Sequence, residues 1–271
     1  MKMNNRNAQN CYLRDGPFVE FFDQHFSDLT QTVYRGDIEF YRALAEETKG
    51  SVLELGSGTG RVAIPISLGN KDVTGLEISP FMLKHAVENA AKLKSSARFG
   101  LGDMANFDIK QEFGFIYIAF GGFHHLETVE DQLQCLRCVN NHLSDSGLLV
   151  IHIRNPAARS LVDIDLKSNQ RRRLIAIDET TGGRVVSEST KHRVNPNMQW
   201  VTETWEHTRY DNEGRIMSVE SNEFRLRWIY RFEMEHLLVR SGFKPIECLS
   251  DFLGNRGRDE VQHIWIVERY R

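Results

Sequence analysis

The chain has 271 residues, 41% of them hydrophobic and 26% charged, and a formal net charge of −3. That length can bury the core of one large domain, with or without an insertion, and so slight an acidic balance removes the electrostatic case for a nucleic-acid or anionic-membrane partner. The opening stretch MKMNNRNAQN has no apolar segment of the secretory kind, and no apolar run approaches the ~18 residues of a membrane-spanning helix, so a cytoplasmic protein is expected.

In chain order, residues 1–50 read as helical, with Ile38, Tyr41, Leu44 and Ala45 of DIEFYRALAEE on one face. SVLEL, from Ser51, is a short buried strand. GRVAIPISLG reads as a helix in which Pro65 either lies near the start or makes a kink. DVTGLEI is a second strand. In SPFMLKHAVENAAKLK, Ser79 is the expected N-cap and Pro80 the first helical residue, and Met82, Leu83, Ala86, Val87 and Ala90 form an apolar stripe. ARFGLGD and FGFIYIAF follow as strands, TVEDQLQCLRCVNNHL as a helix stopping before SDSG, and LLVIHI as a fifth strand. Strands alternating with helices predict parallel βαβ units in a doubly wound α/β sheet.

Residues 156–230 break the rhythm. GRVVSESTKHRV, MQWVTETWEHTRYD and GRIMSVESNEFRLRWI are three strand-like runs separated by turns at VNPN and DNEG, which predicts an inserted antiparallel β-meander. A helix, RFEMEHLLVRSG, and two strands, FKPIECL and QHIWIVERY, then complete a seven-stranded Rossmann-like sheet. The expected divisions are an N-terminal helical lid (1–50), a core (51–155), the insertion (156–230) and the C-terminal part of the core (231–271).

Of the four cysteines, Cys135 and Cys138 have CxxC spacing but lie in a helix-like run with no second ligand pair. They are expected to be ordinary helix cysteines, with no metal, in a reducing compartment. Arg171-Arg172-Arg173, the only basic run, is expected to be a solvated loop.

The informative stretch is LELGSGTGR. A strand, then Gly56-Ser57-Gly58-Thr59-Gly60, then a helix start is a cradle of the nucleotide-binding type. A dinucleotide fingerprint needs its third small residue at position 61; here that residue is Arg61, and the third glycine comes one position early. Glu77 closes the second strand, where a carboxylate accepts hydroxyl protons from a ribose, and Asp103 closes the third, where one can accept an amino proton from a base.

With these residues in view, the chain resembles the class I S-adenosylmethionine-dependent methyltransferases. The resemblance runs through VLELGSGTGR, VTGLEISPFMLKHA, GDMANFD, FGFIYIAFGGFHHL, EDQLQCLRCVNNHLSDSGLLVIHI and RWIYRFEMEHLLVRSGF. It implies S-adenosyl-L-methionine as cofactor, with Glu54, Gly56, Gly58 and Gly60 at its methionine end and Glu77 on its ribose. Ile78 and Met82 would flank the adenine, and Asp103 with Met104 would cap its edge. Ser57, Gly102 and Ala119 complete the implied set, Ser57 standing where the family often has cysteine or alanine. More narrowly, the chain is similar to the small-molecule branch that includes sugar-amine N-methyltransferases. That branch carries a lid tyrosine, matched here by Tyr34, and a histidine after the fourth strand, matched by His125 in GGFHHL.

Methyl transfer to nitrogen or oxygen needs alignment, exclusion of water and removal of a proton. An imidazole of ordinary pKa suits the last task, so His125 is the expected general base and His124 a structural neighbour. Tyr34, Phe120 and Phe123 are candidates for the methyl-transfer region, and Trp200, Trp205, Tyr210, Trp228 and Tyr230 for an acceptor wall built by the insertion. The expected partner is a small-molecule acceptor, and the strand edges of the insertion offer a surface on which two chains can pair as a homodimer. The rival readings are a methyltransferase acting on protein or RNA and a non-catalytic module retaining the cofactor fold.

Overall fold

The structure, a computed structural model, describes residues 11–27, 32, 34–154, 173–257 and 262–270. The polar stretch 1–10 and two members of the basic run, Arg171 and Arg172, lie outside the described residues. Helices α1 (Pro17–Glu20) and α2 (Phe22–His25) are single turns, and α3 (Asp37–Glu47) is the first full helix. Strands β1 (Val52–Leu55), β2 (Val73–Glu77), β3 (Arg98–Leu101), β4 (Phe113–Ile118) and β5 (Leu143–Arg154) alternate with α4 (Ala63–Leu68), α5 (Pro80–Leu93) and α6 (Val129–His142). Then come β6 (Arg173–Asp178), β7 (Gly183–Asn195), β8 (Trp200–Tyr210) and β9 (Ile216–Arg227), followed by α7 (Arg231–Arg240), β10 (Phe243–Leu249) and β11 (Gln262–Arg269).

The core is a seven-stranded sheet in the order β10-β11-β5-β4-β1-β2-β3. β1 pairs in parallel with β2 on one side and β4 on the other, while β11 runs antiparallel to both of its neighbours. Every residue of β1 and β4 is buried, as expected of parallel strands covered on both faces, Glu54 of β1 included. The order reverses between β1 and β4, so a crevice opens above their C-terminal ends, where open α/β sheets bind ligands.

The local chemistry follows the sequence closely at α5. The Ser79 hydroxyl accepts the Met82 N–H at 3.1 Å, and Pro80 occupies the first turn. The stripe is narrower than expected, since Val87 is 51% exposed. In α4, only Ala63–Leu68 is helical, and Pro65 falls in its first turn, where its missing N–H has no intrahelical partner to lose. β5 starts at Leu143, directly after α6, and takes up SDSG with a register shift against β4 instead of leaving it as a turn.

The insertion is a separate sheet of four strands, β6-β7-β8-β9, not three. The extra strand is RLIAID, paired antiparallel to β7 from Arg173↔Glu188 to Asp178↔Gly183. Arg173, the described member of the basic run, is exposed there and pairs with Glu188 at 3.5 Å.

Residues 11–27 dock between this sheet and the core. Cys11, Phe18 and Val19 cluster with Met82 of α5 and with Trp205 and Phe224 of the insertion. Gln24 exchanges hydrogen bonds with the backbone of Ile177 at 3.0 and 3.2 Å, and Arg209 joins Asp178 to Glu20. Ordering a backbone costs about 1–2 kcal/mol per residue, and burying a large apolar side chain returns about 1.5–3 kcal/mol. The segment has few such side chains, so its hydrogen bonds count. No helix among the described residues is long and apolar enough to cross a membrane.

Candidate active site

The crevice at the strand ends is a cavity of about 1100 Å³, counted to its open mouth. Glu54, Gly56, Ser57, Gly58, Glu77, Ile78, Met82, Gly102, Asp103, Met104 and Ala119 all line it, and so does His125. Two residues named with them do not. Gly60, at φ +81°, turns the chain beneath the loop, where an added Cβ would lie 2.8 Å from Phe99 and 2.9 Å from Ile64. Tyr34 is buried behind the wall, its ring 4.6 Å from Phe120 and 5.3 Å from His152. Phe120 reaches the cavity, whereas Phe123 is fully buried in the main core.

The glycine loop and the acids form one unit. The Gly58 N–H donates to Glu77 Oε2 at 2.8 Å, and the Ser79 N–H donates to Oε1 at 2.8 Å. Glu77 is thereby fixed with lone pairs to spare, and its burial raises its pKa. Glu54 is 3% exposed and accepts the Ala63 N–H at 3.0 Å, capping the start of α4. Burial outweighs the nearby Arg61 and pushes its carboxyl up to about 8. Asp103 accepts the Ala105 N–H at 2.9 Å in a tight turn at the end of β3. The Ser57 hydroxyl is buried on the wall with no partner among the described residues. Arg61 crosses the rim in a paired state, both ends of its guanidinium bound to Asp37, at 3.1 and 2.5 Å.

The two adjacent histidines differ in their bonding. His124 is buried with both nitrogens engaged: Nδ1 lies 2.8 Å from the Arg227 carbonyl, and Nε2 accepts the Arg154 N–H at 2.7 Å. It joins β5 to β9. His125 faces the cavity, neither of its nitrogens engaged by a described residue, and Tyr12 meets its ring edge-on at 5.0 Å. Burial lowers its pKa to about 4, so it is neutral throughout the physiological range. An ordinary imidazole value had been expected from the sequence.

The aromatic wall comes from the start of the chain. Tyr12, Leu13 and Phe22 line the cavity together with Phe120, Gly122 and Leu126. None of Trp200, Trp205, Tyr210, Trp228 and Tyr230 is on it. Trp200 lies under Arg225, Tyr210 under Arg184, and Trp205 is buried against the docked segment. The aromatic density of CYLRDGPFVEFFDQHF was the available signal for Tyr12 and Phe22, and Arg61 was marked by its place where a dinucleotide loop needs a small residue. Among the described residues, no group of three or more His, Cys, Asp or Glu is arranged to hold a metal, and Cys135 and Cys138 are buried in the packing of α6.

These buried groups set a stability profile. His25, His124 and His263 have their pKa values lowered by burial to about 4, and His152 to about 3. Their contribution is complete above their unfolded value of 6.5 and is lost as pH falls, by at most ~3 kcal/mol for each histidine near 4 and ~5 kcal/mol for His152. Glu54, raised above its unfolded value, contributes fully below 4.5 and loses that contribution as pH rises through about 8. The melting temperature should therefore climb from pH 4.5 to about 6.5 and fall between 6.5 and 8, and Glu54→Gln should remove the fall. A melting temperature still rising to pH 8 in the unsubstituted protein would contradict the assignment.

Comparison with known proteins fits this geometry. Residues 52–147 match the family model of a methyltransferase domain. The glycine/sarcosine N-methyltransferase of Parasynechococcus marenigrum is 29% identical over 143 residues, 51% of this chain and 51% of that one. The chain spans between 45% and 66% of the length of the three curated relatives it matches. An S-adenosylmethionine-dependent methyltransferase from Clostridium acetobutylicum superposes with a TM-score of 0.74 at 14% identity, over 93% of this chain and 99% of that one. The sugar N-methyltransferase KedS8 from Streptoalloteichus superposes with a TM-score of 0.71 at 19% identity, over 91% and 92% of the two chains. Residues 52–147 thus match a methyltransferase-domain model, in a chain with the fold of the class I S-adenosylmethionine-dependent methyltransferases.

Proposed function

We propose that the protein transfers a methyl group from S-adenosylmethionine to a nitrogen or oxygen of a small-molecule acceptor. The observation that carries this reading is the convergence of the glycine loop, three strand-end carboxylates and His125 on one cavity. The donor set fits the cofactor. Glu54 suits a cationic amino group, Glu77 a ribose diol, Asp103 a base amino group, and the unpartnered Ser57 hydroxyl a polar atom at the loop. When bound, the cofactor supplies the sulfonium methyl electrophile.

The rest is work for this chain's own residues. Met82, Ile78 and Met104 give the apolar walls of the base end. Tyr12, Leu13, Phe22, Phe120 and Leu126 exclude water from the other end and orient the acceptor. Neutral His125 takes the acceptor's proton. Tyr12, in contact with His125, is the better candidate for the lid tyrosine than Tyr34. Among the described residues, Arg61 is the one arginine or lysine on the cavity wall, and Asp37 already pairs it. The favoured acceptor therefore presents an apolar face and no anionic group.

The test is calorimetric titration of the protein with S-adenosylmethionine, S-adenosylhomocysteine and NAD, followed by assay of S-adenosylhomocysteine release with a panel of amines and alcohols. Saturable binding of the first two, without NAD, is expected. Tight binding of NAD with none of S-adenosylmethionine would sink the reading, and binding without turnover across the panel would count against catalysis.

A further inference from the structure

Two hydroxyl groups tie the N-terminal segment to the loops assigned above to the cofactor. The Thr59 hydroxyl, between the second and third glycines of the loop, donates to Asp23 Oδ1 of α2 at 2.7 Å. The hydroxyl of Ser79, a fully buried residue, donates to the carbonyl of Tyr12. Neither bond is local, the partners being 36 and 67 residues apart. Each hydroxyl sits on a residue that the cofactor-binding groups position. Thr59 follows Gly58, whose N–H is held by Glu77, and the Ser79 N–H is held by the same carboxylate. The far ends sit on residues beside the acceptor wall. Asp23 follows Phe22, and Tyr12 rests on His125.

We propose that Thr59–Asp23 and Ser79–Tyr12 are latches through which occupancy of the cofactor site holds residues 11–27 closed over the acceptor end, so that the acceptor half of the site is assembled after the cofactor half. The inference rests on the cofactor reading above. The physical basis is the loop itself. Gly56, Gly58 and Gly60 all have positive φ, at +72°, +55° and +81°, and glycines lose more freedom on ordering than other residues. A ligand that fixes them also fixes Thr59, so the latch closes at a smaller entropic cost. By linkage, closing the segment raises affinity for the cofactor by the same factor. Thr59, Asp23 and Ser79 are positioning residues here, acting through Phe22, Tyr12 and His125.

Hydrogen exchange of the full chain with and without S-adenosylhomocysteine tests this without knowledge of the acceptor. In the unsubstituted protein the ligand should slow exchange at the glycine loop and also across residues 17–27. Asp23 is exposed, so Asp23→Ala should fold normally. It should keep protection at the loop and lose about tenfold of the ligand-induced protection at 17–27, a modest value for a hydrogen bond to an ionised group. Asp23→Asn, which keeps an acceptor oxygen, should restore it. Ser79→Ala should lower protection around Tyr12 in the same way. Protection unchanged at 17–27 in Asp23→Ala and around Tyr12 in Ser79→Ala, or absent at 17–27 in the unsubstituted protein while the loop is protected, would overturn the latches. Absence of ligand-induced protection at the loop itself would overturn the cofactor reading, and this inference with it.

Discussion

Replacing His125 with alanine should lower kcat by roughly 10²–10⁴-fold, the usual loss when a general base is removed, while affinity for S-adenosylhomocysteine stays within about twofold. The split is expected because His125 lies against Tyr12 and is not one of the carboxylates assigned to the cofactor. The pH profile is the sharper test. Burial holds the imidazole near 4, so the acid limb of kcat/KM should fall near pH 4 and not near the ordinary value of about 6.5. His125→Asn should remove that limb. Loss of ligand affinity with kcat preserved would make His125 a wall of the pocket. If neither quantity moved, the proton would have another acceptor, with Tyr12 the nearest side chain to examine.

Glu77→Ala should weaken binding of S-adenosylhomocysteine by about 1.5–3 kcal/mol, the range for hydrogen bonds to an ionised group, or roughly tenfold to 150-fold. The upper end is favoured by what else the carboxylate does. It holds the Gly58 and Ser79 N–H groups, and removing it leaves both donors unpaired in a buried place. Glu77→Gln keeps one acceptor and should fall between alanine and the unsubstituted protein. Calorimetry showing equal affinity for all three would take Glu77 out of the site.

The part of this cavity assigned above to the cofactor was legible in the sequence as a cluster of strand ends because it is written locally. The loop, Glu77 and Asp103 each sit at a strand end marked by glycine or by a helix cap, and Ser79-Pro80 announces α5 in two residues. The acceptor half was not legible. Tyr12 and Phe22 owe their place to strands far along the chain: Gln24 bonds Ile177, 153 residues on, and Arg209 reaches back 189 residues to Glu20. No periodicity carries such information, and the aromatic density around Tyr12 does not say which sheet it packs against. β6 was missed for a related reason. RLIAID is apolar at successive positions, so it lacks the alternation that marks a half-buried strand, and only its pairing with β7 shows its role.

The placement of β11 has a consequence for how the molecule is made. This strand, residues 262–269, enters between β5 and β10 and pairs with both. Until it arrives, the sheet has an open edge at β5 and no place for β10. Residues 11–27 likewise wait for β6 to β9 before they can dock. During synthesis β1 with β2 and β4 with β5 can pair first, over short separations, while residues 11–27 and β11 settle last. Such long-range closures slow folding, and they leave the unpaired edge of β5 exposed to other chains in the meantime. Misassembly in this protein should therefore begin at that edge, in chains interrupted before residue 262.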